Sequence, residues 1–215
     1  MNTRSVDPRG RSGRRRSKPL SETRVRNWAL GYLGRFAATE AHLVVVLERK
    51  IKRHLGPAVD PDELARWFAV AETVARDMVR LGIVDDRNYA ATRARSLHRK
   101  GKARQAIARD LAVKGVSQAD IKAVLDELGQ ESGGRQAAEV EAALALARRR
   151  NIGPFRRLGP QGVEDADRLR RRAYGILARA GFSYDLARRI VEASDLAELD
   201  QYLDDLRAEE ASHEP

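Results

Sequence analysis

The chain contains no cysteine, and aromatic residues make up only 5% of its 215 residues. Without thiols it can form neither disulfides nor thiolate metal sites, which fits a reducing compartment. No stretch approaches the run of about 20 apolar residues that a membrane-spanning helix needs. No apolar core follows the basic N-terminus either, so we expect no secretory signal. Together these absences predict a cytoplasmic protein.

Motifs that carry catalysis are missing as well. There is no G-x-x-x-x-G-K-[ST] loop to hold a nucleotide phosphate, so we expect no nucleotide hydrolysis by this chain. The four histidines (His42, His54, His98 and His213) show no H-x-x-x-H spacing, which argues against a zinc site. The sequence therefore predicts a protein that is not an enzyme and that uses no cofactor and no metal.

Helix-forming residues dominate what is present. Charged residues make up 33% of the chain, and only seven prolines and 16 glycines interrupt it. Alanine and straight-chain residues lose the least conformational freedom on entering a helix. No segment shows the sustained alternation that is typical of a β-strand. We therefore predict an all-α fold.

The net charge of +10 is concentrated at one end of the chain. Between Met1 and Asn27, nine basic residues face two acidic ones, which accounts for +7 of that charge. Residues 1–20 are rich in Gly, Ser and Arg and lack periodicity, which indicates a disordered basic arm. The arm, with Arg14, Arg15 and Arg16 at its centre, either keeps the protein soluble or contacts a nucleic acid.

Start and stop signals divide the rest of the chain into helices. Side chains that can accept a hydrogen bond from the first turn precede six of the segments: Thr39, Asp60, Asp86, Ser117, Ser183 and Asp195. Glycines suited to a left-handed conformation end several of them: Gly82, Gly101, Gly115 and Gly181. Residues 129–134 break the pattern and are a candidate linker, and residues 151–162 form a long irregular segment.

The sequence around Gly115 recurs 66 residues later, around Gly181. Both copies read Leu-Ala-x-x-Gly, then a hydrophobic residue and Ser, as expected for a helix end followed by a new helix cap. We therefore predict three three-helix repeats, in residues 21–85, 86–130 and 131–194, and a C-terminal helix and tail in 195–215. Such units cannot each bury a full core, so we expect them to stack into an elongated, curved array.

Aromatic residues fall into two groups. Five lie at helical spacing and are predicted to belong to the core: Trp28, Tyr32, Phe36, Trp67 and Phe68. Five of the remaining six are too scattered to predict a platform of exposed rings for base stacking: Tyr89, Phe155, Tyr174, Phe182 and Tyr184.

Asp85 and Asp86 form the most conspicuous acidic pair. Two adjacent carboxylates can bind Mg²⁺ or share a proton, as a nuclease requires. The simpler interpretation is that Asp86 caps the following helix while Asp85 interacts with its N-terminal dipole. We predict this structural role.

Basic residues gather in two further places. The first group lies on one helix and the turn after it: Arg93, Arg95, Arg99, Lys100, Lys102 and Arg104. The second flanks the irregular segment: Arg148, Arg149, Arg150, Arg170, Arg171 and Arg172. Guanidinium groups suit phosphates and carboxylates alike, so both groups are candidate contacts to DNA or to an acidic protein surface. The alternative is that they are solvated charged faces.

Several motifs between residues 27 and 191 resemble, in the same order, those of one known family. The most recognisable one resembles the turn between the first and second repeats of that family: Gly82-Ile83-Val84-Asp85-Asp86-x-x-Tyr89-Ala90. The others resemble its opening, its second repeat and its third repeat: Tyr32-Leu33-x-Arg35 with Thr39, Ile107-x-x-x-Leu111-x-x-Lys114-Gly115-Val116, and Arg179-x-Gly181-Phe182-Ser183.

The family that these motifs resemble is RecX, a family of bacterial regulators. This resemblance implies a monomeric, non-enzymatic protein that binds RecA filaments in their helical groove. There it would impede ATP hydrolysis, strand exchange and filament extension, in the context of recombination, DNA repair and the SOS response. The competing interpretation is a basic helical architectural protein that binds DNA phosphates without sequence preference and acts without RecA.

Overall fold

The computed structural model describes residues 19–156 and 163–212. These residues form ten α-helices, one short 3₁₀-helix and no β-strand, which confirms the predicted all-α fold. The helices are α1 (Glu22–Leu33), α2 (Glu40–Leu55), α3 (Pro61–Arg80), α4 (Asp86–Arg99), α5 (Arg104–Val113), α6 (Gln118–Glu131), α7 (Arg135–Arg150), α8 (Val163–Ala180), α9 (Tyr184–Glu192) and α10 (Leu196–Ala211), with the 3₁₀-helix at Gly153–Phe155. Arg14, Arg15 and Arg16 lie outside the described residues, as does the predicted arm up to residue 18. The prediction that disorder extends through Leu20 was wrong, because Leu20 packs against the core formed by α1, α2 and α3.

Side-chain caps begin most helices where the sequence predicted them. Five of the six predicted caps accept a backbone N–H from the first turn: Thr39, Asp60, Ser117, Ser183 and Asp195. The prediction for Asp86 was wrong by one residue. Asp85 has the extended backbone of a cap and accepts the N–H of Asn88 at 2.9 Å, because α4 already begins at Asp86.

The connection between α6 and α7 is shorter than predicted. Gly129 is helical and buried, and α6 continues to Glu131, so the first half of the predicted linker was wrong. A Cβ at Gly129 would lie 3.5 Å from the Cα of Arg135, an ordinary van der Waals distance, so the start of α7 packs directly against this part of α6. The chain turns only through residues 132–134, and the two helices form a tight hairpin.

Three hydrophobic cores follow one another along the chain. The first lies between α1, α2 and α3, with Leu47 and Met78 at its centre. The second lies between α4, α5 and α6 around Ile107 and Leu111. The third lies between α7, α8 and α9 around Leu177, and Leu199 of α10 and Ala103 at the start of α5 pack into it. We call these helix groups the first, second and third units; α10 packs on α7 beside the third.

Four of the five aromatics predicted for the core are partly buried against the first unit's core: Trp28, Tyr32, Trp67 and Phe68. The prediction for Phe36 was wrong, since this side chain is 54% exposed. The reason is that α1 ends at Leu33 and Gly34 follows as its C-cap. Phe36 therefore leaves the buried stripe, and its ring lies against Tyr32 with 5.3 Å between the centroids.

The units are joined at two equivalent places by a hydrogen bond to a backbone carbonyl. The cap residue of α2, Thr39, donates its hydroxyl to the carbonyl of Lys114, the residue before Gly115. The cap residue of α5, Ala103, donates its N–H to the carbonyl of Ala180, the residue before Gly181. The turn that ends the second helix of one unit thus rests on the start of the second helix of the unit before it.

Carboxylates and glycines complete both junctions. Asp86 on α4 accepts the first N–H of α2, from Glu40, at 2.8 Å. Glu139 on α7 accepts the first N–H of α5, from Arg104, at 3.0 Å. A Cβ on Gly115 would collide with Ala41, and one on Gly181 would lie 3.2 Å from Ala103. The repeated Gly motif of the sequence therefore marks the points at which successive units touch.

Candidate functional site: a basic cleft in the third unit

The two parts of the second basic group meet around one cleft. The end of α7 contributes Arg149 and Arg150, and α8 contributes Arg170 and Arg172. The cleft has a volume of about 1330 Å³, and its wall continues through Arg156 and the α9–α10 connection. We call it the basic cleft. Arg148 and Arg171 are exposed but are not among its lining residues.

The end of α7 is held in place by its own core contacts. Leu146 and Ala147 are buried in the third core, and the three arginines that follow them are exposed. Asn151 then adopts a left-handed conformation (φ 53°, ψ 54°), which ends the helix. Arg148 lies over the ring of Phe155, with its guanidinium carbon 5.3 Å from the ring centroid, a cation–π contact that turns it toward the 3₁₀-helix.

The turn after α7 rests directly on α9. Gly153 has a positive φ of 57°, and a Cβ there would collide with the carbonyl oxygen of Ile190. Only glycine fits this conformation and this close approach. The contact fixes the end of α7 beside α9, while α8 buries Ala173 and Leu177 against the same core and leaves its arginines outside.

Positive charge exceeds negative charge in the cleft. Five arginines line it, against the carboxylates of Glu192 and Asp195. Glu192 accepts hydrogen bonds from the Tyr174 hydroxyl, at 2.9 Å, and from Arg170. These two bonds hold the pKa of Glu192 below its usual value, so the carboxylate is ionised at neutral pH. Asp195 accepts the N–H of Glu198 as the cap of α10. Both carboxylates are thus engaged within the fold, and the surplus of guanidinium groups suits a polyanion.

Much of the first basic group is paired inside the second unit. Arg93 binds Asp110 through two hydrogen bonds, of 2.9 and 3.0 Å, and joins α4 to α5. Arg95 binds Glu131 and joins α4 to α6. Arg104 binds Asp126 at 2.6 Å and the carbonyl of Leu125, which joins α5 to α6. These three arginines have a clear role in holding the unit together.

Three residues of the first group are exposed around the α4–α5 turn: Arg99, Lys100 and Lys102. Between them Gly101 is buried against α7, where a Cβ would lie 2.6 Å from the Cβ of Leu146. The turn is thereby held against the third unit. These cations remain candidate contacts.

Asp85 and Asp86 have separate structural tasks. Asp85 caps α4, whereas Asp86 accepts the N–H of Glu40 across the first junction. Burial raises the pKa of Asp86, although the Glu40 N–H opposes that shift.

Within residues 19–156 and 163–212, no three His, Asp or Glu side chains lie close enough together to hold a metal ion. In the same ranges, every helix is either too short or too polar to span a lipid bilayer.

One feature beside the basic cleft was missed by the sequence analysis. Tyr174 and Tyr184 stack, with 5.5 Å between ring centroids and 15° between ring planes. The sequence analysis treated them as scattered. They lie ten residues apart on either side of the Gly181 turn. Since that short turn makes α8 and α9 neighbours, the hairpin geometry was the signal that could have predicted the contact.

Comparison with known proteins assigns the chain to a family. A family model described as RecX, second three-helix domain, matches residues 85–125, which cover α4, α5 and the first half of α6. The regulatory protein RecX of Myxococcus xanthus is 33% identical over 189 residues, which are 87% of this chain and 95% of that protein. The chain belongs to the RecX family.

Two further matches to RecX proteins have lower sequence identity. The regulatory protein RecX of Agrobacterium fabrum is 28% identical over 180 residues, which are 80% of this chain and 86% of that protein. A crystal structure of a regulatory protein RecX matches 79% of this chain and 70% of its own, with 22% identity and a TM-score of 0.49. As a member of the RecX family, the chain is a regulatory protein and not an enzyme.

Proposed function

We propose that this chain binds RecA filaments assembled on DNA, along their helical groove, and restrains ATP hydrolysis, strand exchange and filament extension by RecA. The observation that carries the proposal is membership of the RecX family, through a relative of which 95% is covered. RecA would supply the nucleotide chemistry, and this chain would supply shape and charge.

The serial arrangement of the units supports this mode of binding. Each unit has its own core, and successive units touch through the Thr39 and Ala103 junctions. We propose that the units form an elongated, curved array in which each contacts a successive RecA subunit. Weak contacts in series then add through effective concentration, so a monomer suffices for stable binding.

The basic cleft supports a contact with an acidic surface or with the DNA inside the filament. Guanidinium groups bind phosphates and carboxylates through paired hydrogen bonds. Arg149, Arg150 and Arg172 are exposed and line the cleft, so they are our first candidates. The exposed cations Arg99, Lys100 and Lys102 at the α4–α5 turn are the second.

The test is the DNA-dependent ATPase of RecA. Purified chain, added to RecA on single-stranded DNA at equal stoichiometry, is expected to inhibit hydrolysis. The double variant Arg149→Ala/Arg172→Ala should inhibit more weakly. The double variant Arg66→Ala/Arg76→Ala removes the same charge from the exposed side of α3 and should inhibit as the wild type does. An unchanged ATPase rate with the wild-type chain would contradict the proposal.

The basic cleft also favours a second candidate function, a DNA-binding architectural protein that acts without RecA. This function predicts an affinity for naked DNA that falls with salt at a log–log slope of about −0.9 per neutralised phosphate. Removal of residues 1–20 separates the two candidates. Inhibition of RecA should largely survive that truncation, whereas DNA binding driven by the arm should not.

A further inference from the structure

The ring of Tyr184 is exposed to an unusual degree for a large side chain. It is the first residue of α9 and is 68% exposed. Its stacking partner Tyr174 lies on α8, at a centroid distance of 5.5 Å and with the planes only 15° from parallel. In a stack of two rings only one face of each ring is covered, so the other face of Tyr184 is open to a further planar group.

The inner ring is held in a fixed position. Tyr174 is partly buried against the third core, and its hydroxyl donates to Glu192 at 2.9 Å. Burial and this hydrogen bond raise the pKa of Tyr174, so the hydroxyl keeps its proton at neutral pH. Arg170 binds the same carboxylate. Tyr184 therefore stacks on a ring that is already ordered, and binding a third ring requires little further loss of conformational freedom.

The tyrosine pair is connected to the basic cleft through the hydrogen bond from Tyr174 to Glu192, although neither ring is part of the cleft wall. Arg170 and Glu192, which bind each other and lie beside Tyr174, both line the cleft. Arg188 is exposed on α9, one helical turn after Tyr184, and adds a further cation to this helix. Of the carboxylates here, Glu192 is paired with Arg170, and Asp185 is the neighbour of Tyr184 in the first turn of α9.

We propose that Tyr184, supported by Tyr174, stacks on a base of single-stranded DNA whose phosphates lie in the basic cleft. Non-specific single-strand binding combines a positively charged groove with exposed aromatic rings, and these two elements adjoin here. Bases in a duplex are already stacked on one another, so the site favours single strands. The proposal rests on the DNA contact included in the proposed function and adds to it a preference for single-stranded over double-stranded DNA.

The experiment compares two oligonucleotides of equal length and equal phosphate number, one of thymidines and one of abasic sites. Binding to the full-length chain is followed by fluorescence anisotropy without RecA. We expect the wild type to bind the thymidine strand more tightly than the abasic strand by about 5- to 150-fold, the range for stacking on one aromatic ring. Tyr184→Ala should lose that preference while binding the abasic strand as the wild type does. Tyr184→Phe should keep it. Arg149→Ala should weaken both strands alike.

Equal binding of the two strands by the wild type, or no binding of either, would overturn the proposal. So would a Tyr184→Ala variant that binds thymidines normally but no longer inhibits RecA, because Tyr184 would then contact protein. RecA is absent from the binding assay, so its result is independent of the ATPase test of the proposed function. Circular dichroism of each variant confirms that the exposed substitution leaves the fold intact.

Discussion

The hydroxyl of Thr39 donates a hydrogen bond to the backbone carbonyl of Lys114, 75 residues further along the chain, at 2.5 Å. The same oxygen accepts the N–H of His42 at 3.1 Å, and Thr39 is fully buried. One hydroxyl therefore both begins α2 and joins the first unit to the second.

Replacement of Thr39 tests this double role. Thr39→Val keeps the shape of the side chain but removes both hydrogen bonds, and we expect it to cost about 1–3 kcal/mol of unfolding free energy. Thr39→Ser retains the hydroxyl and should cost clearly less. Urea unfolding measures both. Equal losses in the two variants would show that the methyl packing, and not the hydroxyl, matters at this junction.

Gly115 is expected to be essential for the same contact. Gly115→Ala places a side chain at a φ of 79° and against Ala41, whereas Gly82→Ala meets a similar φ of 68° with no atom nearby. Both variants incur the strain of a left-handed alanine, about 1–3 kcal/mol. Gly115→Ala should be the less stable of the two in thermal unfolding. In an Ala41→Gly background that excess should shrink, and an excess that persists there would contradict the junction contact.

Asp86 is expected to act as a hydrogen-bond acceptor whose negative charge lowers the stability of the folded state. Its pKa is raised chiefly by burial, so the folded state holds a proton more tightly than the unfolded state, and ionisation at neutral pH reduces stability. Asp86→Asn keeps an acceptor for the Glu40 N–H without the charge and should be at least as stable as the wild type at pH 7. Asp86→Ala should lose about 0.5–2 kcal/mol, as for a lost helix cap. Equal unfolding midpoints for the two variants would refute this role.

The Arg93–Asp110 pair predicts a dependence of stability on pH. The hydrogen bonds from Arg93 are the main cause of the lowered pKa of Asp110, so the pair stabilises the fold above the ordinary aspartate pKa of about 4. That contribution is lost as the pH falls through the lowered folded value. With both side chains about one third exposed, we expect Asp110→Asn to cost up to about 1 kcal/mol at pH 7.

The measurement is the difference in unfolding free energy between wild type and Asp110→Asn at decreasing pH. It should diminish toward zero below the ordinary aspartate pKa. Asp200→Asn, on the exposed side of α10, is the matched control and should have little effect. A difference between wild type and Asp110→Asn that stays constant down to low pH would mean that the pair contributes nothing electrostatic.

Local signals explain what the sequence predicted well. Caps such as Ser117 and Ser183 and left-handed glycines such as Gly181 act over three or four residues, so their effect can be read from neighbouring positions. Phe36 shows the limit of periodicity. Its spacing continues the apolar stripe of α1, but the helix ends at Leu33. Phe36 lies beyond the helix and is therefore exposed instead of buried on the same face.

The candidate site depended on contacts that no local pattern encodes. Arg93 and Arg95 look like members of an exposed basic face, yet Asp110 and Glu131 on other helices bind them. Arg149 and Arg172 line one cleft because the Gly153 turn rests on α9. The packing of the helices decides which carboxylate each arginine meets. Composition and spacing therefore predicted the two basic groups, but not which of their arginines form ion pairs.

The most direct test of the proposed function is recovery of the chain on RecA filaments assembled on immobilised single-stranded DNA, with the same DNA without RecA as control. We predict that the chain, and equally the chain without residues 1–20, is retained on the filaments well above its retention on naked DNA at physiological salt. Equal retention on both, or loss of the filament-bound fraction with the arm, would contradict a regulator that docks on RecA.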